Sequence, residues 1–513
     1  MAKMAALNRP KRIDHPAIGE IGRRADHGGT DIGHPHCLCL WHDSILRRSN
    51  YRTLPAMKLF PPQDTCTIYK TGFGTDDILG RAETGKRLSD LLERIEDPVV
   101  VALDGRWGSG KSHFLKRWVG AHTLENDGRA TVVYFDAFAN DFLDDPLIGL
   151  TGAIAERLPE REAKLTEKVK SAAFKLARPL LRIGASAATA GATEWAGPVL
   201  DEAIKAGHKE AETAAEVFWR REDGRKAAMQ QFHDSLMQLT AASAKDEGDG
   251  KPLIVVIDEL DRCRPDYALA MLETVKHFFA VPRVHFVLGV NLEALEHMVR
   301  ARYGAGIDAG DYLKRFISLT MHLPEEVAGP QPVNAAFRYI EVTSQQMGIA
   351  RELCETINQH IQLLAKTIPI SLRDVEKILT RLVLLPLPKQ LERFPAGKLD
   401  LILSLVLFQV LRPALYQGAM MRTLKIRDIE TFYGITPEMR DDESQTDEQY
   451  NHTAFLVHSR WEFTLTEGSE PAQHTEEIAR DILGSGSLSR PKRIRAILPQ
   501  IKHDYFDTFT LPD

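Results

Sequence analysis

Two short stretches of this sequence hold residue types whose spacing can do chemistry. The first is Asp104-Gly105-Arg106-Trp107-Gly108-Ser109-Gly110-Lys111-Ser112. It follows the apolar run Val99 to Leu103 and precedes a helical pattern from His113 to Val119. The spacing G-x-x-x-x-G-K-S between a strand and a helix is that of a phosphate-binding P-loop. Gly105, Gly108 and Gly110 free the backbone to curl, so that successive amides turn inward on a phosphate. The helix N-terminus behind the loop adds partial positive charge. Lys111 would reach the β- and γ-phosphates, and the Ser112 hydroxyl would complete the shell of a Mg²⁺ ion.

The second stretch is Leu253-Ile254-Val255-Val256-Ile257, followed by Asp258-Glu259-Leu260-Asp261-Arg262-Cys263. An apolar run without alternation marks a strand buried on both faces. Carboxylates at the C-terminal end of such a strand lie where open α/β sheets bind ligands. Asp258 would hold the Mg²⁺, directly or through water, and Glu259 would polarise the attacking water. Asp261 and Arg262 have two readings, a pair between themselves or an Arg262 that faces a neighbouring subunit. Asn291, which ends the buried run Val284 to Val290, also has two. It can orient the water and read the γ-phosphate, or it can cap the helix that follows.

The elements that must position these residues are legible in the pattern. Thr75 to Arg81 leads into an amphipathic helix over Ala82 to Ile95, with Leu88, Leu91, Leu92 and Ile95 on one side. Thr75 or Asp76 is expected to cap it or a short turn before it, and the helix is placed to form one wall of a base pocket. Ala130 to Asp136 reads as a second strand, and Asp144-Asp145-Pro146 as the start of a helix. Ala268 to Phe279 is a further helix, and Tyr312 to Pro324 begins as a helix and becomes a strand, with Lys314 and Arg315 at the change. Strands and helices alternating in this way predict a parallel, doubly wound sheet.

Residues 155–250 interrupt the sheet as a mostly helical insertion. Its middle, Leu180 to Leu200, is rich in Gly, Ala and Ser, but Glu194 falls inside it and Arg178 and Arg182 flank it. Those charges favour a segment in water or at an interface over a bilayer span. Glu202 to Arg225 reads as a solvated helical face. From Val333 onward the pattern is helical. Leu401 to Phe408 is an apolar run too short to span a membrane, and 436–452 is an acidic loop. Arg490 to Arg495 is basic and has two readings, a solvated helix start or a contact with the phosphates of a nucleic acid or a membrane surface.

At 513 residues the chain is too long for one core, and two or three domains are expected. The expected divisions are an extension, 1–56, disordered or foreign to the functional protein; a nucleotide domain in two parts, 57–154 and 251–330; the insertion 155–250; a lid, 331–395; and a C-terminal helical region, 396–513. A net charge of −6 gives no global reason to expect nucleic acid as a partner. Five scattered cysteines suit a reducing cytoplasm, and the N-terminus carries charges where a signal peptide would be apolar. The cluster His34-Pro35-His36-Cys37-Leu38-Cys39 packs its ligands too closely for a zinc site, and no second pair follows it.

With both motifs in view, the chain resembles the KAP group of P-loop NTPases. That group is similar to ATPases with an additional strand between the P-loop strand and the acidic strand. The resemblance rests on Gly105 to Ser112, on Asp258 to Cys263 followed by Val281-Pro282-Arg283-Val284, on Phe286 to Asn291, and on Tyr312 to Phe316 ending at Leu323-Pro324. It covers about Met57 to Leu382. It implies an α/β fold of the additional-strand (ASCE) type, with a helical insertion and a helical C-terminal region. Carried over, Gly105, Trp107, Gly108, Ser109, Gly110, Lys111 and Ser112 bind ATP. Asp258 joins Ser112 on Mg²⁺, Glu259 is the base, and Arg315 is a finger toward a neighbouring subunit's nucleotide. Thr367 to Arg373 resembles the start of the lid helix, with Arg373 as a sensor arginine. Asp136 and Phe138 stand where the group usually has Asn and Trp, and Asn291 where many members have Asp. The resemblance implies an ATPase that drives conformational change or homo-oligomer assembly, with anti-phage defence as its setting. A nucleotide-gated scaffold and a membrane-associated signalling NTPase are the alternatives.

Overall fold

Two apolar strands set the centre of the molecule: every residue of Leu253–Asp258 (β3) and of Val284–Val290 (β4) is buried. The computed structural model describes residues 57–507, except 63–65, 126–129, 144, 159–162, 165, 174–225, 241–250, 328–332, 389–390, 442–447, 467–474 and 485–495. All described residues fall in one unit, Ala56–Asp513. With Val100–Asp104 (β1), Thr131–Asp136 (β2) and Leu319–His322 (β5), the two central strands form a parallel sheet in the order β2-β3-β4-β1-β5. β4 therefore lies between the strand that leads into the P-loop and the strand that ends in Asp258, the additional strand that the resemblance implies. The register aligns the functional ends, since Asp136 pairs with Asp258 and Asp258 with Gly289, and Leu103 also pairs with Gly289.

Side chains alternate across a strand, so a sheet buried on both faces needs two covers. On one face Val101, Leu103, Ile254, Val256 and Val287 pack with Phe114, Leu115 and Trp118 of the helix Lys111–Glu125 (α2) and with Leu88 and Leu92 of Ala82–Arg94 (α1). On the other, Val255, Ile257, Phe286 and Leu288 pack with Leu147 and Leu150 of Pro146–Arg157 (α3) and with Met271 and Leu272 of the helix Pro265–Phe278. At about 1.5–3 kcal/mol per fully buried large apolar side chain, these two layers dominate the stability of the sheet. Asp145 caps α3 by accepting from the Leu147 amide at 2.9 Å, with Pro146 at the first helical position, as the sequence predicts.

The start of α1 differs from expectation by one residue. The side chain of Asp77 accepts from the Ala82 amide at 2.8 Å, while Asp76 is paired with Arg117 of α2. Within the insertion, residues 166–173 and 226–240 are helical, and Val169, Ala172, Phe232 and Leu236 join the second face of the sheet. Leu180 to Leu200 and Glu202 to Arg225 lie outside the described residues, as do 1–56 and Arg490 to Arg495. Among the described residues no helix is long and apolar enough to cross a membrane.

Beyond the sheet, a short antiparallel ribbon (Glu326–Val327 with Val333–Asn334) precedes a run of helices. One hydrophobic core extends from Ala336 to Phe506, so residues on both sides of position 395 share it. Ala396–Leu411 is its centre, buried continuously from Leu399 to Phe408. The loop expected over 436–452 is a correction at its ends, which are helical in Pro437–Asp441 and Glu448–Leu465. The helix Leu372–Leu384 opens on a capping box, in which Ser371 accepts from the Asp374 amide and Asp374 accepts from the Ser371 amide.

Candidate functional site

The loop after β1 is shaped from outside as well as by its own glycines. Gly108 and Gly110 have φ of +82° and +86°, the left-handed region that penalises a side chain. Space forbids one too: a Cβ on Gly108 would lie 2.8 Å from Arg373 Cβ, and one on Gly110 2.6 Å from Arg81 Nη1. The Leu372 amide donates to Gly108 O at 3.0 Å. Arg81 Nη2 donates to Ser109 O at 2.9 Å and Nη1 to Gly110 O at 3.2 Å. In a trans peptide the carbonyl and the following amide point in opposite directions. Holding the carbonyls of Ser109 and Gly110 therefore turns the amides of Gly110 and Lys111 away from Arg81. Burial pushes the Arg81 guanidinium down to about 10, which leaves it charged at neutral pH. Arg81 does this work from outside the motif, and its type alone gives no signal of the role.

Lys111 is buried, and its Nζ donates to Arg106 O at 3.2 Å and to Gly105 O. Burial lowers its pKa, and Asp261, Asp104 and Asp258 oppose that fall. Ser112 Oγ donates to Glu259 Oε1 at 3.5 Å, which joins the loop to the acidic strand across β4.

Asp258 is 1% exposed. Its Oδ2 accepts from the Tyr134 hydroxyl at 2.8 Å, and its Oδ1 from the Glu259 amide at 2.9 Å. Burial raises its pKa against the pull of the hydrogen bonds from Tyr134 and Ser112. On β4, a Cβ at Gly289 would stand 2.4 Å from Asp258 Oδ1, so only glycine leaves room for that carboxylate. A glycine inside an otherwise bulky strand is the kind of signal by which such a close approach can be found in a sequence. Glu259 has φ +59°, a left-handed backbone for a non-glycine residue at the turn that follows β3. Burial raises its pKa and Arg262 opposes this, with Arg262 Nη1 2.9 Å from Glu259 Oε1.

Asp261 and Arg262 thus have separate partners rather than each other. Trp107 Nε1 donates to Asp261 Oδ2 at 2.6 Å, and Asp261 is buried while the Trp107 ring is half exposed. Trp107, Gly108, Gly110, Lys111, Ser112, Asp258 and Glu259 line one cleft of about 1570 Å³, together with Asp261, Arg262 and Arg373. Gly105 and Ser109 complete the loop beneath it. The wall expected from α1 is supplied instead by the segment before it, through Phe60, Phe73, Ile78 and Arg81. The physical reason is that α1 turns its apolar side to Trp118 and the sheet.

Two sequence-predicted residues stand elsewhere. Asn291 Oδ1 accepts from the Ala294 amide at 3.4 Å and caps the helix Leu292–Tyr303, and the residue is not among those that line the cleft. Arg315 is exposed and lies ahead of β5, at the sheet end opposite the P-loop, where Ser318 binds the Val100 carbonyl. It does not reach its own chain's cleft.

Mg²⁺ suits the residues present. Among the described residues no group of three His, Cys, Asp or Glu is poised to hold a metal unaided. One hydroxyl and one carboxylate, Ser112 and Asp258, are what a hard octahedral cation needs when phosphate oxygens and waters fill its other positions.

A parallel sheet with one strand inserted between P-loop and acidic strand, and the cleft at its C-terminal edge, defines a P-loop NTPase of the additional-strand class. Residues 81–385, more than half of the chain, match the KAP family P-loop domain, and the chain belongs to that family. Among solved structures, the chain is similar to the ORC2 protein of Aeropyrum pernix in ADPNP and ADP complexes. The identity is 12%, covering 86% of this chain and 96% of that one, with a TM-score of 0.31. It is also similar to AMPPCP-bound DnaA from Aquifex aeolicus, at 11% identity over 86% of this chain and 93% of that one, with a TM-score of 0.26. A search of curated proteins finds no significant match.

Proposed function

We propose that this chain is an ATPase that hydrolyses ATP with Mg²⁺ and couples the reaction to conformational change or self-assembly. The observation that carries the reading is the contact between Ser112 and Glu259, which unites the phosphate loop and the acidic turn in one cleft. In this reading the amides of Gly110 and Lys111 hold phosphate oxygens, and Lys111 leaves its own loop carbonyls for the β- and γ-phosphates. Mg²⁺, held by Ser112 and Asp258, would neutralise charge on the phosphate oxygens. Tyr134 and Gly289 fix the Asp258 carboxylate where the ion needs it. Glu259 orients the attacking water and takes its proton, and Arg373 contacts the nucleotide from the lid helix. Asn291 sets the strand end beside the site.

Arg315 acts in this reading on a neighbouring copy's nucleotide, because its exposure at the far end of the sheet excludes its own. A finger of this kind is worth about 10³–10⁵-fold in phosphoryl transfer. Adenine as the base, a cytoplasmic setting and anti-phage defence are what the resemblance and the cysteine usage suggest. A second reading has one observation in its favour: Arg262 already occupies Glu259. A nucleotide-gated scaffold would keep that pair and turn ATP over slowly.

The test is nucleotide turnover and particle mass for the parent, Lys111→Ala and Glu259→Gln, with and without MgATP. The ATPase reading expects Lys111→Ala to lose turnover by about a hundredfold or more. Glu259→Gln should bind ATP without hydrolysing it. Lys111→Ala turning ATP over like the parent would sink the reading. Slow turnover unchanged by Glu259→Gln would favour the scaffold.

A further inference from the structure

The pair Arg262 and Glu259 stands at the cleft, Arg262 toward solvent and Glu259 partly buried. Both residues line it, with side chains 34% and 18% exposed. Their contact falls on Glu259 Oε1, the same oxygen that accepts from Ser112. The proposed base therefore spends both lone pairs of that oxygen on a guanidinium and a hydroxyl, so an attacking water finds no acceptor there. A nucleotide whose phosphates lie along Lys111 and Ser112 would bring its terminal phosphate to the same spot. A guanidinium favours a multiply charged phosphate with several acceptor oxygens over a single carboxylate oxygen.

We propose, resting on the nucleotide-site reading above, that Arg262 reads the terminal phosphate: it leaves Glu259 for the γ-phosphate of a bound nucleoside triphosphate, and its departure frees Glu259 as the base. In the step that follows, the water oxygen forms a bond to the γ-phosphorus as the bond to the β,γ-bridging oxygen breaks. The water proton passes to Glu259, and the bridging oxygen leaves with the nucleoside diphosphate. Arg262, on the phosphate, stabilises the charge of the transferring group. A diphosphate ends one group short and leaves the pair with Glu259 intact.

The experiment is equilibrium binding of MgADP and of a non-hydrolysable ATP analogue, with ATP turnover measured alongside. It uses the parent, Arg262→Gln, Arg262→Lys and Glu259→Gln. Arg262→Gln should bind the diphosphate like the parent and the triphosphate analogue about tenfold more weakly, the loss of one charge-assisted hydrogen bond. Its turnover should fall, and Arg262→Lys should recover part of both losses. Glu259→Gln, in which Arg262 is released from its carboxylate, should bind the triphosphate analogue more tightly relative to the diphosphate. An unchanged ratio of the two affinities in Arg262→Gln would overturn the proposal, and so would faster turnover in that variant. Retained diphosphate binding reports that the variant is folded. Lys111→Ala separates the two levels of the argument. If it binds both nucleotides like the parent, the nucleotide-site reading itself has failed; if it loses both while the Arg262→Gln ratio is unchanged, only the role of Arg262 has.

Discussion

The indole N–H of Trp107 donates to the Asp261 carboxylate at 2.6 Å, joining the phosphate loop after β1 to the turn after β3 across the intervening β4. Asp261 is 4% exposed and Trp107 52% exposed, so the bond serves the buried partner more than the ring. Trp107→Phe keeps an aromatic ring and removes the donor. Leaving a buried carboxylate without this bond costs about 1–3 kcal/mol, and that loss is expected in urea unfolding. The ring's own burial is too small to account for it. Combining Trp107→Phe with Asp261→Asn should recover part of the loss, and strict additivity of the two substitutions would show that no coupling exists.

Tyr134 acts on the site through Asp258, whose Oδ2 its hydroxyl reaches at 2.8 Å. Tyr134→Phe is expected to leave the sheet intact, since the ring remains, and to loosen the carboxylate proposed to hold Mg²⁺. Partners of this kind are worth about 10–100-fold in metal affinity. The Mg²⁺ concentration for half-maximal turnover should rise by that factor. An unchanged Mg²⁺ dependence would remove Tyr134 from the site.

Gly289→Ala tests the same carboxylate by crowding it. The new methyl would meet Asp258 Oδ1 at 2.4 Å and Leu115 Cδ1 at 2.5 Å. Leu115 belongs to a packed layer, and overpacking there costs about 1–3 kcal/mol. Asp258 must also move away from its partners. The variant should therefore melt somewhat earlier and lose Mg²⁺-dependent turnover far more than its stability. Full turnover with ordinary Mg²⁺ dependence would mean that Asp258 has freedom the geometry denies it.

The buried strands, the glycine-lysine loop and the acidic strand end are legible because each is written in adjacent residues and obeys a local rule of period or turn chemistry. The helix start at Asp145-Pro146 is legible for the same reason. Arg81 is different: its partners are carbonyls 28 and 29 positions on, and a backbone oxygen leaves no trace in residue type. Asp261 and Arg262 are adjacent and opposite in charge, which invites pairing them. The short helical turn Leu260–Arg262 sends one to Trp107 and the other to Glu259. The helices beyond Val333 show their periodicity, but a common core from Ala336 to Phe506 depends on long-range packing that periodicity does not encode.

That common core holds a charged network whose contribution to stability depends on pH. Arg460 pairs with Asp400 and, at 2.6 Å, with Asp481, tying together the helices Glu448–Leu465, Ala396–Leu411 and Thr475–Leu483. His360 Nε2 lies 3.5 Å from Asp400 Oδ1, and His360 Nδ1 lies 2.9 Å from the Tyr433 hydroxyl, which donates to Ser404. Burial alone would raise the Asp400 pKa, but the hydrogen bond and charge of His360 and the charge of Arg460 outweigh it and hold it below the ordinary 3.8. A carboxylate depressed in the folded state adds stability above its unfolded pKa and loses it as pH falls through the folded value. Arg460→Met removes one partner and leaves the buried Asp400 and the partly exposed Asp481 without that charge, at a cost of about 3–5 kcal/mol near neutrality. In the variant, burial is less compensated and the Asp400 pKa should rise, so acidification relieves the variant while it weakens the parent. The gap between the two, followed by denaturant unfolding with Trp461 in the same core as a reporter, should be widest near pH 7 and should narrow below about pH 4. A gap that stays constant across that range would show that Asp400 draws no stability from Arg460's charge.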